Sequence, residues 1–180
     1  MRKIIVAQYA SLDGVVEAPE QWHFPYADQN MFRVLGEVST EIDTMLLGRV
    51  TYEVFAASFA NAAADDPVAA SLNRPAKVLV SSTVTEPSWA RTTVIGGDVV
   101  AGVRALKESD GGSILINGSI QLCQALFRAG LVEELHLLIH PIVVGHGRRL
   151  FEDNGPQLPL SVVSSETFPT GVLSVRYRTA

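Results

Sequence analysis

What most constrains this chain is the alternation of short apolar runs with segments whose apolar residues recur at helical spacing. Residues 2–11, Thr44-Met45-Leu46-Leu47, Lys77-Val78-Leu79-Val80, residues 92–95 and residues 113–116 are runs of strand length rich in Ile, Val and Leu. A strand that is apolar at nearly every position is buried on both faces, so the pattern calls for a parallel sheet covered by helices on each side. After Asp28, the residues Met31, Leu35, Val38 and Ile42 recur every three or four positions, which predicts a helix burying that face. Val50, Val54, Phe55 and Phe59 predict the inner face of a second helix, which opens after Gly48. Asp98 is placed to cap a third helix, with Val99, Val103 and Leu106 inward and Gly111-Gly112 breaking it. Ile120, Cys123, Leu126 and Phe127 predict a fourth, stopped by Gly130. Residues 15–26 read as a loop, and residues 60–75 are weakly patterned. Residues 134–144 read as a long strand interrupted at Pro141, and residues 160–167 and 172–178 as a closing hairpin around Pro169-Thr170-Gly171. The expected fold is therefore α/β: a single domain over residues 1–180, with a mixed, mostly parallel, doubly wound sheet, helices on both faces and a C-terminal antiparallel hairpin at one edge.

Composition narrows the function classes. A chain of 180 residues supports one good core. The net charge of −5 and the lack of any basic run argue against a protein that tracks nucleic-acid phosphates. Cys123 is the sole cysteine, so neither an internal disulfide nor a cysteine-based zinc site is expected, and a cytoplasmic location fits. The apolar run after Met1-Arg2-Lys3 is too short for a signal peptide, and no segment approaches the roughly 18 apolar residues of a membrane span.

In an open parallel sheet, ligands gather at the carboxyl ends of the strands. Four of these ends are polar here: Ser11-Leu12-Asp13-Gly14, Gly48-Arg49-Val50-Thr51, Ser81-Ser82-Thr83 and Asn117-Gly118-Ser119. Two of them open helices, where unpaired N–H groups and the helix dipole favour an anion and glycine lets a phosphate come close. Arg49 carries a fork of donors suited to a terminal phosphate, and the hydroxyls of Thr51, Ser81 and Ser82 can bond phosphate or ribose oxygens. Each also has a plain reading: a charge at a helix start, part of a first turn, or a strand terminator. Their recurrence at strand ends points to a phosphorylated dinucleotide. No Gly-x-Gly-x-x-Gly follows a strand, and Gly145-His146-Gly147-Arg148-Arg149-Leu150 matches only in part, so a Rossmann site is disfavoured. That glycine pair reads as a turn before the hairpin, from which Arg148 and Arg149 could reach a ligand phosphate.

The ordered series Ser11-Leu12-Asp13-Gly14, Leu47-Gly48-Arg49-Val50-Thr51-Tyr52-Glu53, Lys77-Val78-Leu79-Val80-Ser81-Ser82, Asn117-Gly118-Ser119 and Gly130-Leu131-Val132-Glu133-Glu134-Leu135 resembles the dihydrofolate reductase superfamily. It is most similar to the riboflavin-biosynthesis reductase branch, the RibD C-terminal domain type, from about Arg2 to Tyr177. The resemblance implies a dihydrofolate reductase-like fold and NADPH bound through Gly48, Arg49, Thr51, Ser81, Ser82, Gly118 and Ser119, with Asn117 at the head of the same turn. It also implies a homodimer. Two departures point away from folate: the acid after Trp22-His23-Phe24-Pro25-Tyr26-Ala27 falls one residue late, at Asp28, and Asn117-Gly118 replaces a double glycine.

Hydride transfer to a carbonyl or imine needs a proton delivered to the atom that gains charge. Asp28 is the leading candidate acid, with a helix N-cap as its plain alternative. Asp13 is the second candidate, with an Asp-Gly turn as its alternative. Trp22 and His23 are candidate substrate contacts, set against a loop anchor and an exposed histidine. His136 and His140 stand four residues apart on a strand, about 13 Å, too far for one ion, and no metal is expected. The leading expectation is an NADPH-dependent reductase of a small heterocyclic or sugar-phosphate-bearing substrate. The rival is a non-catalytic ligand-binding protein that kept the fold.

Overall fold

In the computed structural model, which describes residues 1–63, 65–153 and 155–179, the strands are β1 (Ile4–Ser11), β2 (Ile42–Gly48), β3 (Ala76–Val80), β4 (Thr92–Ile95), β5 (Ser113–Asn117), β6 (Glu134–His140), β7 (Leu160–Thr167) and β8 (Leu173–Thr179). The α-helices are α1 (Gln29–Thr40), α2 (Arg49–Phe59), α3 (Pro67–Asn73), α4 (Val99–Glu108) and α5 (Ile120–Arg128). The strands form one sheet in the order β4-β3-β2-β5-β1-β6-β8-β7. The first six are mutually parallel, and β8 runs antiparallel to both β6 and β7. The mostly parallel α/β sheet with a terminal hairpin is thus as the sequence pattern predicts.

Alternation along the strands divides the core between the two faces. Ile4 and Val6 of β1, Leu46, Val78, Ile114 and Ile116 pack with Val103 of α4 and Cys123 and Leu126 of α5. On the other face, Ile5, Ala7 and Leu115 meet Val38 of α1, while Met45, Leu47 and Leu79 meet Tyr52 of α2, Leu72 of α3 and Trp89. Among the described residues, no helix is long and apolar enough to cross a membrane.

Two boundaries and one helix face differ from the sequence reading. The helical period continues through Ile42, but α1 stops at Thr40 and Ile42 pairs with Ser113 as the first residue of β2, where the sheet buries it. On α2, Val50 and Val54 face solvent, and the inner face is Tyr52, Phe55, Ala56 and Phe59. Tyr52 sets that rotation, because its hydroxyl accepts the buried Trp89 N–H at 2.7 Å. Strand β6 ends at His140 instead of running on through Pro141. In the weakly patterned stretch, α3 begins at an Asp66-Pro67 start signal, with Asp66 accepting from the N–H groups of Val68 and Ala69.

Candidate functional site

Because six strands are parallel, the ends of β1, β2, β3 and β5 lie along one edge of the sheet. At the centre of that edge the β2–α2 and β5–α5 turns are fastened together. The Gly48 N–H donates to Ser119 Oγ at 2.9 Å, and the Ser119 N–H donates to Thr51 Oγ1 at 2.9 Å. Gly118 and Ser119 both have positive φ, 70° and 55°, so consecutive residues leave the ordinary backbone regions to make the turn. A Cβ on Gly118 would lie 3.0 Å from Thr51 Oγ1 and Cγ2, and no side chain fits there without displacing Thr51.

Helices α1, α3 and α4 each begin under an aspartate side chain, Asp28, Asp66 and Asp98 respectively, which accepts first-turn N–H groups. Helices α2 and α5 begin at Gly48 and Ser119 with no side-chain cap. Their first-turn donors therefore stay available, side by side, beside a glycine turn. Arg49 stands at the start of α2, half-exposed, and bonds Glu53 one turn along at 2.9 Å. Ser81 spends its oxygen locally, accepting from the N–H groups of Thr83 and Val84, whereas Ser82 is exposed.

Both candidate acids are engaged elsewhere. Asp13 accepts from Ser11 Oγ and from the N–H groups of Val144 and Gly145, and these bonds lower its pKa to about 2. It ties the end of β1 to the loop after β6. Asp28 accepts from the Met31 N–H at 3.0 Å and from Asn30 Nδ2 at 3.1 Å, which holds its carboxyl below the usual range. Its observed contacts are those of an N-cap. Arg148 pairs with Glu17, and Arg149 donates to the Asp13 carbonyl, so both brace the same loop.

Trp22 and His23 enter an aromatic cluster that sequence reasoning missed. Trp22 is buried and donates to the Glu17 carbonyl. His23 stacks on Tyr9 with ring centroids 4.6 Å apart, and the fully buried His140 ring stands edge-on to Tyr9, Trp22, His23 and Tyr26. The His140 Nδ1–H donates to the Leu138 carbonyl, and burial pushes the ring's pKa down, keeping it neutral. Beside this cluster, between the sheet and α1, lies a narrow cleft of about 20 Å³. Its floor includes Ala7, Tyr9, Asn117, His136 and Leu138, and Val34, Leu35 and Val38 roof it. Among the described residues lining it, none carries a carboxylate. Asn117 thus faces this cleft, while Gly118 and Ser119 face the paired helix starts. The signal for His136 and Tyr9 was positional: β1 and β6 pair in register, so residues 7, 9, 136, 138 and 140 share one face. Among the described residues, no group of three or more His, Cys, Asp or Glu side chains is placed to hold a metal ion.

Residues 2–174 match the family described as the RibD C-terminal domain. The chain is 28% identical over 183 residues to the uncharacterized protein YyaP of Bacillus subtilis (strain 168), covering 98% of this chain and 94% of that protein. A pyrimidine reductase-like protein from Corynebacterium diphtheriae superposes with a TM-score of 0.70 at 16% identity, covering 99% of this chain and 92% of that one. Dihydrofolate reductase from Enterococcus faecalis, complexed with NADP(H) and RAB-propyl, superposes with a TM-score of 0.66 at 14% identity, covering 98% and 96% of the two chains. At these identities the structural matches establish the shared dihydrofolate reductase-like fold.

Proposed function

Because the chain belongs to the RibD C-terminal domain family, we propose that it is an NADPH-dependent reductase of a small heterocyclic or sugar-phosphate-bearing substrate. The observation that carries this reading is the pair of uncapped helix starts tied through Ser119 at the ligand edge of the sheet. Backbone donors with a helix dipole behind them, and a glycine between them, suit a pyrophosphate. The first-turn N–H groups of α2 and α5 would hold it, Gly118 would admit it, and the Ser82 hydroxyl would bond the ribose or its phosphate. Arg49 would leave Glu53 for the terminal phosphate, a two-pronged contact that an ammonium could not replace. When bound, NADPH supplies a hydride. The NADP(H) complex of the Enterococcus faecalis relative supports the same choice of cofactor.

Fluorescence titration with NADPH tests the proposal: saturable binding is expected, and no binding at millimolar cofactor by folded protein overturns it. Arg49→Ala is expected to weaken NADPH about tenfold while leaving NADH unchanged, the loss of one charge-assisted contact. An unchanged preference removes Arg49 from the phosphate role.

One observation favours a second reading, a ligand-binding protein without catalysis. The carboxylates of Asp13 and Asp28 are both committed to backbone donors, and the cleft lining holds none. NADPH that binds but is never oxidised across a panel of carbonyls and imines decides for that reading. A homodimer along β7 belongs to the same proposal, since this edge strand exposes Val162 and Val163. A monomer in sedimentation at working concentration rejects it.

A further inference from the structure

Across the floor of the cleft, Asn117 on β5 pairs with Ala7 on β1, Ala7 pairs with His136 on β6, and His136 pairs with Arg176 on β8. Two longer polar side chains thus flank an alanine across two strand spacings, about 9–10 Å, which leaves a shallow bay over Ala7. Arg176 Nε donates to His136 Nε2 at 3.1 Å. A guanidinium has no acceptor, so His136 Nε2 must present its lone pair and the ring proton must sit on Nδ1. Glu134 Oε2 also lies near Nε2, at 3.4 Å, a longer contact than that of Arg176, and Glu134 accepts from Lys3 and Arg176 as well. A doubly protonated ring would turn a second N–H against that of Arg176. Burial and the Arg176 charge push the His136 pKa below its ordinary value, outweighing the upward pull of Glu134 and Glu41, which agrees with a neutral ring. His136 is 6% exposed, lines the cleft, and its Nδ1 is buried with no hydrogen-bond partner among the described residues.

We infer that His136 is a specificity-determining residue of the cleft, and that Arg176 is a positioning residue that fixes its proton on Nδ1. A fixed Nδ1–H demands a hydrogen-bond acceptor on the edge of the ring seated over Ala7 and rejects an amino group there, because two donors would meet in a dry site. Asn117 makes no such demand, since its amide can turn to offer either oxygen or nitrogen. The inference rests on the cleft being the substrate site. Only about 20 Å³ is open, so the inference also requires the α1 roof to lift when a ring binds. Met31 and Val34 are the fully buried residues of that twelve-residue helix, and Leu35 and Val38 are partly buried, so lifting it exposes four apolar side chains.

The test uses the full chain, without cofactor, and two probes of one shape: pteridine-2,4-dione, which offers carbonyl oxygens, and 2,4-diaminopteridine, which offers amino groups. Binding is read by probe fluorescence at a pH where both are neutral. The dione is expected to bind at least about tenfold more tightly, one hydrogen bond gained against one donor clash. His136→Leu is expected to abolish that preference, and His136→Asn, whose amide nitrogen occupies the Nδ1 position, to retain much of it. A preference that survives His136→Leu, a preference for the diamine, or no binding of either probe at millimolar concentration overturns the inference. Should His136→Leu fail to fold, imidazole ¹⁵N NMR of the unmodified chain decides: an Nδ1–H ring supports the assignment and an Nε2–H ring sinks it. An NADPH titration separates the two levels. Dione selectivity without NADPH binding removes the reductase reading alone, and NADPH binding without dione selectivity removes this one alone.

Discussion

Replacing Gly118 by alanine isolates the turn on which the cofactor reading depends. Gly118 has φ +70°, and an added Cβ would stand 3.0 Å from the Thr51 side chain. Gly97 supplies the control, because its φ is +69° and an added Cβ meets nothing within 4 Å. Both substitutions incur the left-handed backbone penalty of about 1 kcal/mol. Only Gly118→Ala must also move Thr51, whose Oγ1 accepts the Ser119 N–H at 2.9 Å. Losing that bond, with the crowding, adds about 1–2 kcal/mol. For a chain of this length each kcal/mol lowers Tm by roughly 2–4 °C. Gly97→Ala is therefore expected to cost about 2–4 °C and Gly118→Ala about 4–12 °C in thermal unfolding followed by circular dichroism. NADPH affinity should fall several-fold in the second variant alone. Equal Tm losses together with unchanged NADPH affinity would refute the coupling of the two turns.

Asp13 is held at a pKa of about 2 against an ordinary 3.8, so its hydrogen bonds stabilise the fold above the higher value and are lost as pH falls between the two. Asp13→Asn should be less stable at neutral pH and show a shallower acid transition in that window, read by urea melts across pH. Buried Lys77 has its pKa lowered to about 8 from 10.5 by desolvation, so the unfolded chain binds the extra proton and stability should rise with pH between those values. Lys77→Met should remove that alkaline rise, and its persistence would assign the effect to another group. Leu126 is fully buried on the inner face of α5, so Leu126→Ala should cost about 3 kcal/mol, seen as a Tm loss of roughly 6–12 °C. A loss under 2 °C, on the order of that for a surface site, would show that the α5 face is not packed as described.

The sheet, its parallel character and its polar edge are all written in the strand pattern. Runs such as Met45-Leu46-Leu47 and Ile114-Leu115-Ile116 are apolar on both faces and alternate with helical segments, which a doubly covered parallel sheet satisfies, and the ends of parallel strands share one edge. That Gly48, Arg49, Thr51, Gly118 and Ser119 stand at helix starts was legible, because such starts are local, written in a few consecutive residues. Whether a residue keeps its polar atoms free was not legible, since that depends on partners far along the chain. Asp13 is tied to Val144 and Gly145, Ser119 to Gly48 and Thr51, and His136 to Arg176, at separations that no periodicity records. Only the tertiary structure shows that the carboxylates at Asp13 and Asp28 accept backbone N–H groups and that His136 lines the cleft with Arg176 donating to its Nε2. Hydrogen-bond capacity is finite, and only the folded chain shows where it has been used.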